Sequence, residues 1–275
     1  MFERVLGHES ILEKLKKTVE KDIPSHAYVF YGKDGIGKRL VACEFAKGLL
    51  NTQNLENNID FKYVTRIEDK QNILVEQIRD QVISDVYTAP ATGKYKVYVI
   101  DEADKMNESS QNALLKTLEE PPKSVVIILI TSNIDGLLGT ILSRTTNVFF
   151  EQLNKKDVEK YIESKNLVVS HELLEFSQGS ISTLIDVTRE ENKEKFQKIS
   201  DIFNNLATMD KLSLLDALKD VDLKDELVVE YIEFLMMKNS FYDKIPLIES
   251  AKQAILSNAN EDMQKTKLVI EILKK

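Results

Sequence analysis

A short apolar run, Ala27-Tyr28-Val29-Phe30-Tyr31, leads straight into Gly32-Lys33-Asp34-Gly35-Ile36-Gly37-Lys38-Arg39. Apolar residues then recur at helical intervals through Leu40, Val41, Phe45, Ala46, Leu49 and Leu50. A β-rich run, a glycine loop and an amphipathic helix in immediate succession predict a strand–loop–helix unit, the start of an α/β fold. The loop follows the phosphate-binding pattern G-x-x-x-x-G-K-[ST] up to its last position. Glycines in that pattern let backbone N–H groups converge on phosphates, the Lys reaches the outer phosphates, and the final hydroxyl ligates magnesium. Gly32, Gly35, Gly37 and Lys38 are in place, with Ile36 between the last two glycines, but Arg39 stands where the hydroxyl belongs and cannot ligate a cation. The candidate nucleotide-binding residues here are Gly32, Gly35, Ile36, Gly37, Lys38 and Arg39.

Downstream the alternation continues. Residues 8–21 carry Ile11, Leu12, Leu15 and Val19 at helical spacing. Residues 61–64 fit a short strand, and residues 73–86 show helical spacing at Ile73, Val75, Ile78, Val82, Ile83 and Val86. Residues 96–101 read as a strand ending in acid, and residues 109–119 as a helix stopped by Pro121-Pro122. Residues 124–131 form a strand apolar enough to be buried on both faces, and residues 146–150 supply a further strand. Strands alternating with helices indicate a parallel, doubly wound sheet. Beyond Phe150 the chain shows only amphipathic helical segments, with Ser177-Gln178-Gly179-Ser180 as the clearest break. The expected division is an α/β domain over 1–153, a small helical domain over 154–190, and a helical C-terminal domain over 191–275.

Three further positions carry chemistry in such a fold. Asp101-Glu102 closes the strand at 96–101, and ligands of doubly wound sheets gather at the carboxyl ends of strands. There Asp101 would hold magnesium and Glu102 would orient or deprotonate an attacking water. Solvated acids that cap a strand and start a helix would look the same. Asn133, after Thr131-Ser132, suits either a turn residue or a group touching the γ-phosphate. Arg144 precedes the last strand and suits either a surface ion pair or an arginine finger aimed at a neighbouring subunit's nucleotide.

Bulk properties narrow the classes. With 30% charged and 43% hydrophobic residues the chain is a globular protein rather than a disordered one. Its longest apolar run, Val125 to Ile130, is too short for a membrane span, the N-terminus lacks a signal-peptide core, and a cytoplasmic protein with no membrane partner is expected. A net charge of −8 argues against this chain alone gripping DNA through a basic surface. The single Cys43 excludes a disulfide framework and a four-cysteine zinc site. Cys43 is expected as an inert core thiol. His8, His26 and His171 have no ligand spacing. The aromatics Phe149, Phe150, Phe234, Phe241 and Tyr242 are expected in cores, with residues 234–237 also available to a subunit interface.

Taken in order, these segments resemble the clamp-loader branch of the AAA+ ATPases, and most closely the delta-prime subunits of bacterial DNA polymerase III. The resemblance rests on Ser25-His26-Ala27-Tyr28-Val29-Phe30 before the loop and on Asp101-Glu102-Ala103-Asp104. It rests equally on Asn112-Ala113-Leu114-Leu115-Lys116-Thr117-Leu118-Glu119-Glu120-Pro121-Pro122 and on Ser143-Arg144-Thr145. The match is detailed over about 5–150; beyond that it agrees only in layout. It implies an AAA+ P-loop domain, a helical lid and an all-helical collar that joins gamma/tau and delta subunits in a hetero-pentameric ring. That ring loads the sliding clamp onto primed DNA in replication, within a DNA-directed DNA polymerase (nucleotidyltransferase) holoenzyme. Arg144 matches the finger acting in trans on the adjacent ATPase. Delta-prime subunits are typically the stationary member of the ring, with degraded nucleotide sites and little or no hydrolysis of their own.

The chain departs from that pattern in three places. Residues 51–60 contain no cysteine where many relatives carry a zinc module, so no zinc is expected. Thr145 replaces a common Cys, which leaves the finger unaffected. No Arg occupies the start of the lid helix near Gly179-Ser180-Ile181-Ser182-Thr183, where active relatives place a sensing Arg, and Arg189 lies too far along. The missing hydroxyl and missing lid Arg argue against efficient hydrolysis, whereas Lys38, Asp101 and Glu102 argue for it. The cofactor expected is ATP or ADP, weakly held, with its magnesium left open. The alternative function is an ATP-hydrolysing motor subunit of the gamma/tau kind.

Overall fold

The computed structural model of the chain describes residues 1–67 and 70–274. The expected C-terminal domain closes at Lys275, which lies outside them. Two compact units emerge: one takes residues 1–166 and 178–182, the other residues 167–177 and 183–275.

The first unit is built on five parallel strands: β1 (Ala27–Tyr31), β2 (Phe61–Val64), β3 (Lys96–Ile100), β4 (Val125–Thr131) and β5 (Thr146–Phe149), in the order β2-β3-β4-β1-β5. Strand alternation sorts side chains onto two faces. Ala27, Val29, Tyr98, Ile100, Ile127 and Leu129 face one buried cluster, joined by Ile78, Val82, Leu114, Leu118 and Ile141. Tyr28, Phe30, Val97, Val99, Ile128 and Ile130 face the other, joined by Leu15, Val41, Phe45 and Leu49. The second cluster is covered by α1 (Glu9–Lys21) and α2 (Lys38–Leu49). The first is covered by α3 (Val75–Ile78), a π-helical turn at Arg79–Ile83, α4 (Ser84–Val86), α5 (Glu108–Glu119) and α6 (Gly139–Leu142). Both faces of β3 and β4 are therefore dry, as their largely apolar sequences require. The helix α7 (Lys155–Lys165) follows β5, and Asn154 caps it by accepting from Asp157 N–H.

The second unit holds α8 (His171–Ser177), most of α9 (Ile181–Thr188), α10 (Glu190–Asn204), α11 (Lys211–Leu218), α12 (Glu226–Lys238), α13 (Ile245–Leu256) and α14 (Glu261–Ile272). Its core gathers Phe196, Phe203, Leu214, Val228, Ile232, Leu235, Ile248 and Leu268. Among the described residues every element after β5 is helical.

Three sequence expectations need correction. The helix expected from residue 73 starts at Val75, because Ile73 forms a bridge with Met106 instead. Phe149 and Tyr242 are not core residues: they are 54% and 64% exposed. Phe149 lies on the edge strand β5, where its ring stands 5.2 Å from that of Tyr31. Cys43 is half-buried, and burial raises its thiol pKa.

Candidate functional site

The glycine loop joins β1 to α2, and its shape follows from its residues. Gly32, Gly35 and Gly37 have φ of 145°, 75° and 102°, a region that side chains disfavour. A Cβ on Gly32 would lie 2.3 Å from Phe150 O, and one on Gly35 would lie 2.1 Å from Ser180 Oγ. At Gly37 the same position meets nothing within 4 Å, so the loop opens to one side there. The loop carbonyls are held from outside. Gly35 O accepts from Ile181 N–H at 3.0 Å, and His8 Nε2 lies 2.9 Å from Ile36 O. Lys38 Nζ donates to Gly32 O at 2.6 Å and Lys33 O at 2.7 Å, with Asp34 3.5 Å away. Burial lowers the Lys38 pKa, and Asp34 opposes that shift.

Helix α2 begins at this loop with no side-chain cap and no acid in its first turn. Two cations, Lys38 and Arg39, occupy that turn instead. Positive charge at a helix N-terminus opposes the macrodipole, so an anion there would relieve both. The open side at Gly37, the glycine geometry and Lys38 fit phosphate groups of a nucleotide.

The acids stand one strand away. Because β4 lies between β1 and β3, Asp101 is not carried by the immediate neighbour of the loop strand. Its two oxygens are engaged: Oδ1 accepts from Glu102 N–H at 2.9 Å, and Oδ2 accepts from the Tyr63 hydroxyl. Burial and the Asp101 contact push the Tyr63 phenol pKa upward, so the proton stays on tyrosine. Arg39 lies over the same ring, its guanidinium carbon 4.8 Å from the centroid. Arg39, Tyr63 and Asp101 therefore form one connected row.

Glu102 is gripped by Arg66, whose Nε donates to Oε2 at 2.8 Å and whose Nη2 donates to Oε1 at 2.6 Å. The hydrogen bond from Arg66 holds the Glu102 carboxyl below its usual pKa, burial working against it. Glu102 also sits at φ 51°, a left-handed conformation that costs a non-glycine residue about 1 kcal/mol. Thr131, at the end of β4, donates to Asp104 at 2.6 Å and accepts from Asn133 N–H at 2.9 Å. The Asn133 side chain accepts from Asp135 N–H at 3.2 Å, capping a short turn.

Arg144 stands apart from these contacts. It follows α6, donates to Thr140 O at 2.9 Å and pairs with Glu119 at 2.9 Å, a third of its side chain exposed. Glu119 is the last residue of α5, so the specific Leu-Glu-Glu-Pro-Pro segment and the Ser-Arg-Thr segment meet in space. At the start of α9, Ser180, Ile181 and Ser182 occupy the positions around Gly35, and Arg189 pairs with Asp186 instead. Tyr63 and Arg66 were missed from sequence. The signal available was their place at the end of β2, whose pairing with β3 sets Val64 opposite Ile100.

For magnesium the donor set fits poorly. Arg39 has no lone pair to offer, and both Asp101 oxygens already accept hydrogen bonds. Among the described residues no cluster of His, Cys, Asp and Glu is arranged to hold a metal ion, and no helix is long and apolar enough to cross a membrane.

Comparison with known proteins gives a consistent family. The profile described as DNA polymerase III, delta subunit, matches residues 7–154. DNA polymerase III subunit tau of Escherichia coli is 30% identical over 248 residues, covering 80% of this chain and 38% of that protein. The tau subunit of Bacillus subtilis is 32% identical over 197 residues, covering 66% of this chain and 34% of that protein. The chain thus spans well under half the length of these relatives. A DNA polymerase III gamma subunit-related protein of Thermotoga maritima superposes with a TM-score of 0.60 at 18% identity, covering 95% of this chain and 98% of that one, and so shares the fold.

Proposed function

The chain belongs to the DNA polymerase III delta-subunit family of AAA+ clamp-loader proteins, and from that premise we propose that it serves as the delta-prime, stator-type subunit. In this role it joins gamma/tau and delta subunits in a hetero-pentameric ring that loads the sliding clamp onto primed DNA. Residues 154–190 act as the helical lid and 191–275 as the collar. The chain presents Arg144 in trans to a neighbour's ATP and holds ATP or ADP only weakly at its own loop.

The observation that carries this reading is the engagement of the chain's own acids. Asp101 accepts from Tyr63, and Glu102 from both nitrogens of Arg66, contacts that compete with a metal ion or an attacking water for these carboxylates. A general base held by an arginine also loses proton affinity, and Arg66 holds the Glu102 pKa below its usual value. Arg144 needs only to exchange an exposed ion pair with Glu119, an interaction worth no more than about 1 kcal/mol. Within the assembled loader, Arg144→Ala is expected to reduce DNA-stimulated ATPase activity by about 10³-fold at the neighbouring site, with ring assembly intact. Unchanged ATPase and clamp loading in that variant would sink the proposal.

A motor role of the gamma/tau kind is the second reading. It is favoured by the retention of Lys38, Asp101 and Glu102 and by likeness to tau subunits. Steady-state hydrolysis by the purified chain, abolished by Lys38→Ala, would establish it over the stator role.

A further inference from the structure

Magnesium normally accompanies a nucleoside triphosphate because it neutralises phosphate charge and bridges the phosphates to protein oxygens. Here the position that should supply a hydroxyl supplies a guanidinium, and the acid that should face the metal accepts a hydrogen bond from a phenol. The two departures are physically linked, since Arg39 rests on the ring of the very tyrosine that bonds Asp101.

We propose that this site takes a nucleoside di- or triphosphate without a divalent cation, Arg39 supplying the positive charge that the metal would bring while Tyr63 keeps Asp101 closed to it. This rests on the reading of Gly32–Arg39 as a nucleotide loop. Arg39 is exposed in the first turn of α2, one residue beyond Lys38, so its side chain is attached where phosphates would gather. A guanidinium offers five donors in a planar fork that matches phosphate oxygens, and it cannot lose its charge at any working pH. Its contact with Tyr63 is a cation–π interaction made by an exposed side chain, weak enough for a phosphate to draw it away. A magnesium ion faces a steeper demand. It would have to compete with the Tyr63 hydroxyl for Asp101, and it would still lie beside a cation that repels it. A hydrogen bond to a charged group is stronger than an exposed cation–π contact, so moving Arg39 costs less than weakening the Tyr63 bond to Asp101. The balance favours the guanidinium over the metal.

The test uses the purified full chain, with ADP and ATP each titrated calorimetrically in EDTA and in excess magnesium chloride, and thermal unfolding followed alongside. Binding in EDTA, with dissociation constants that change by no more than about threefold on adding magnesium, is the expected result. In Arg39→Gln, binding in EDTA should weaken about tenfold and magnesium should not restore it. Arg39→Ser combined with Tyr63→Phe reopens both metal positions, so magnesium should tighten its binding about tenfold or more. Matching unfolding temperatures for the ligand-free proteins show that each variant is folded. Magnesium-dependent binding by the unaltered chain overturns the proposal while leaving the nucleotide loop intact. Absence of binding in both buffers overturns the proposal and the weak nucleotide site together, and leaves the role of Arg144 to be judged by its own variant.

Discussion

Glu102 combines a catalytic residue type with a side chain gripped by Arg66, and its titration reports which of the two governs. Arg66 depresses its folded pKa below the unfolded value of about 4.3. The pairing therefore contributes its stability in full above about pH 4.3 and loses it as pH falls through the depressed folded value. We expect the Glu102 carboxyl, followed by NMR, to titrate below the ordinary glutamate range, and to move upward in Arg66→Ala. Stability of that variant should also fall less steeply on acidification than that of the unaltered chain. An unchanged midpoint in Arg66→Ala would show that the grip is not maintained in solution. At this scale the sequence was informative where a residue's chemistry is tied to local spacing. The glycines, Lys38, the acid pair at the end of a strand and the odd Arg39 were all legible. Tyr63 and Arg66 were not, because their meaning comes from lying beside Asp101 and Glu102 across a strand pair, a relation of register between segments far apart in the chain.

Elements were legible for a related reason. The central strands β1, β3 and β4 are largely apolar runs, and the flanking helices repeat apolar residues at their own period, so type and approximate extent follow from one segment at a time. Strand order does not. The insertion of β4 between β1 and β3 depends on which crossovers pack best, and no single segment encodes that. Ile73 and the π-helical turn at Arg79–Ile83 escaped as well: an apolar residue serves a bridge as readily as a helix face, and an i→i+5 turn leaves helical spacing nearly unaltered. One interaction between elements offers a sharp test. Lys96 enters β3 with its side chain 6% exposed and pairs with Asp85 of α4 at 2.7 Å, while Asp85 also accepts from Tyr98 at 2.9 Å. Asp85→Asn leaves a buried ammonium without its counter-charge, a change that typically costs about 3–5 kcal/mol. The expected result is a lower urea midpoint with an unchanged slope. Asp85→Leu combined with Lys96→Met should recover much of the loss, since a well-packed apolar pair can replace a buried ion pair.

On the scale of the whole molecule, the two units each have their own core. In the helical unit Glu172 accepts from Ser200 and Tyr231 and pairs with Lys238, tying α8, α10 and α12 together. Burial opposes the ionised form of Glu172, but those donors outweigh it and leave its pKa lowered. Leu235 is fully buried in the same unit, and Leu235→Ala is expected to cost about 2–5 kcal/mol. Reduced hydrogen-exchange protection across α10, α12 and α13 would register that cost. The sheet of the other unit carries a consequence for synthesis. β1 has two hydrogen-bonding partners, and both come late: Ala27 lies beside Ile127, and Tyr28 beside Thr146. At elongation rates of about 5–20 residues per second, this strand waits on the order of 5–20 s for its first neighbour. An apolar stretch with both edges open for that long is a ready template for pairing with another chain. The nascent protein is therefore most vulnerable to aggregation before residue 131 has emerged, and the glycine loop cannot be fixed until the sheet closes around the strand that carries it.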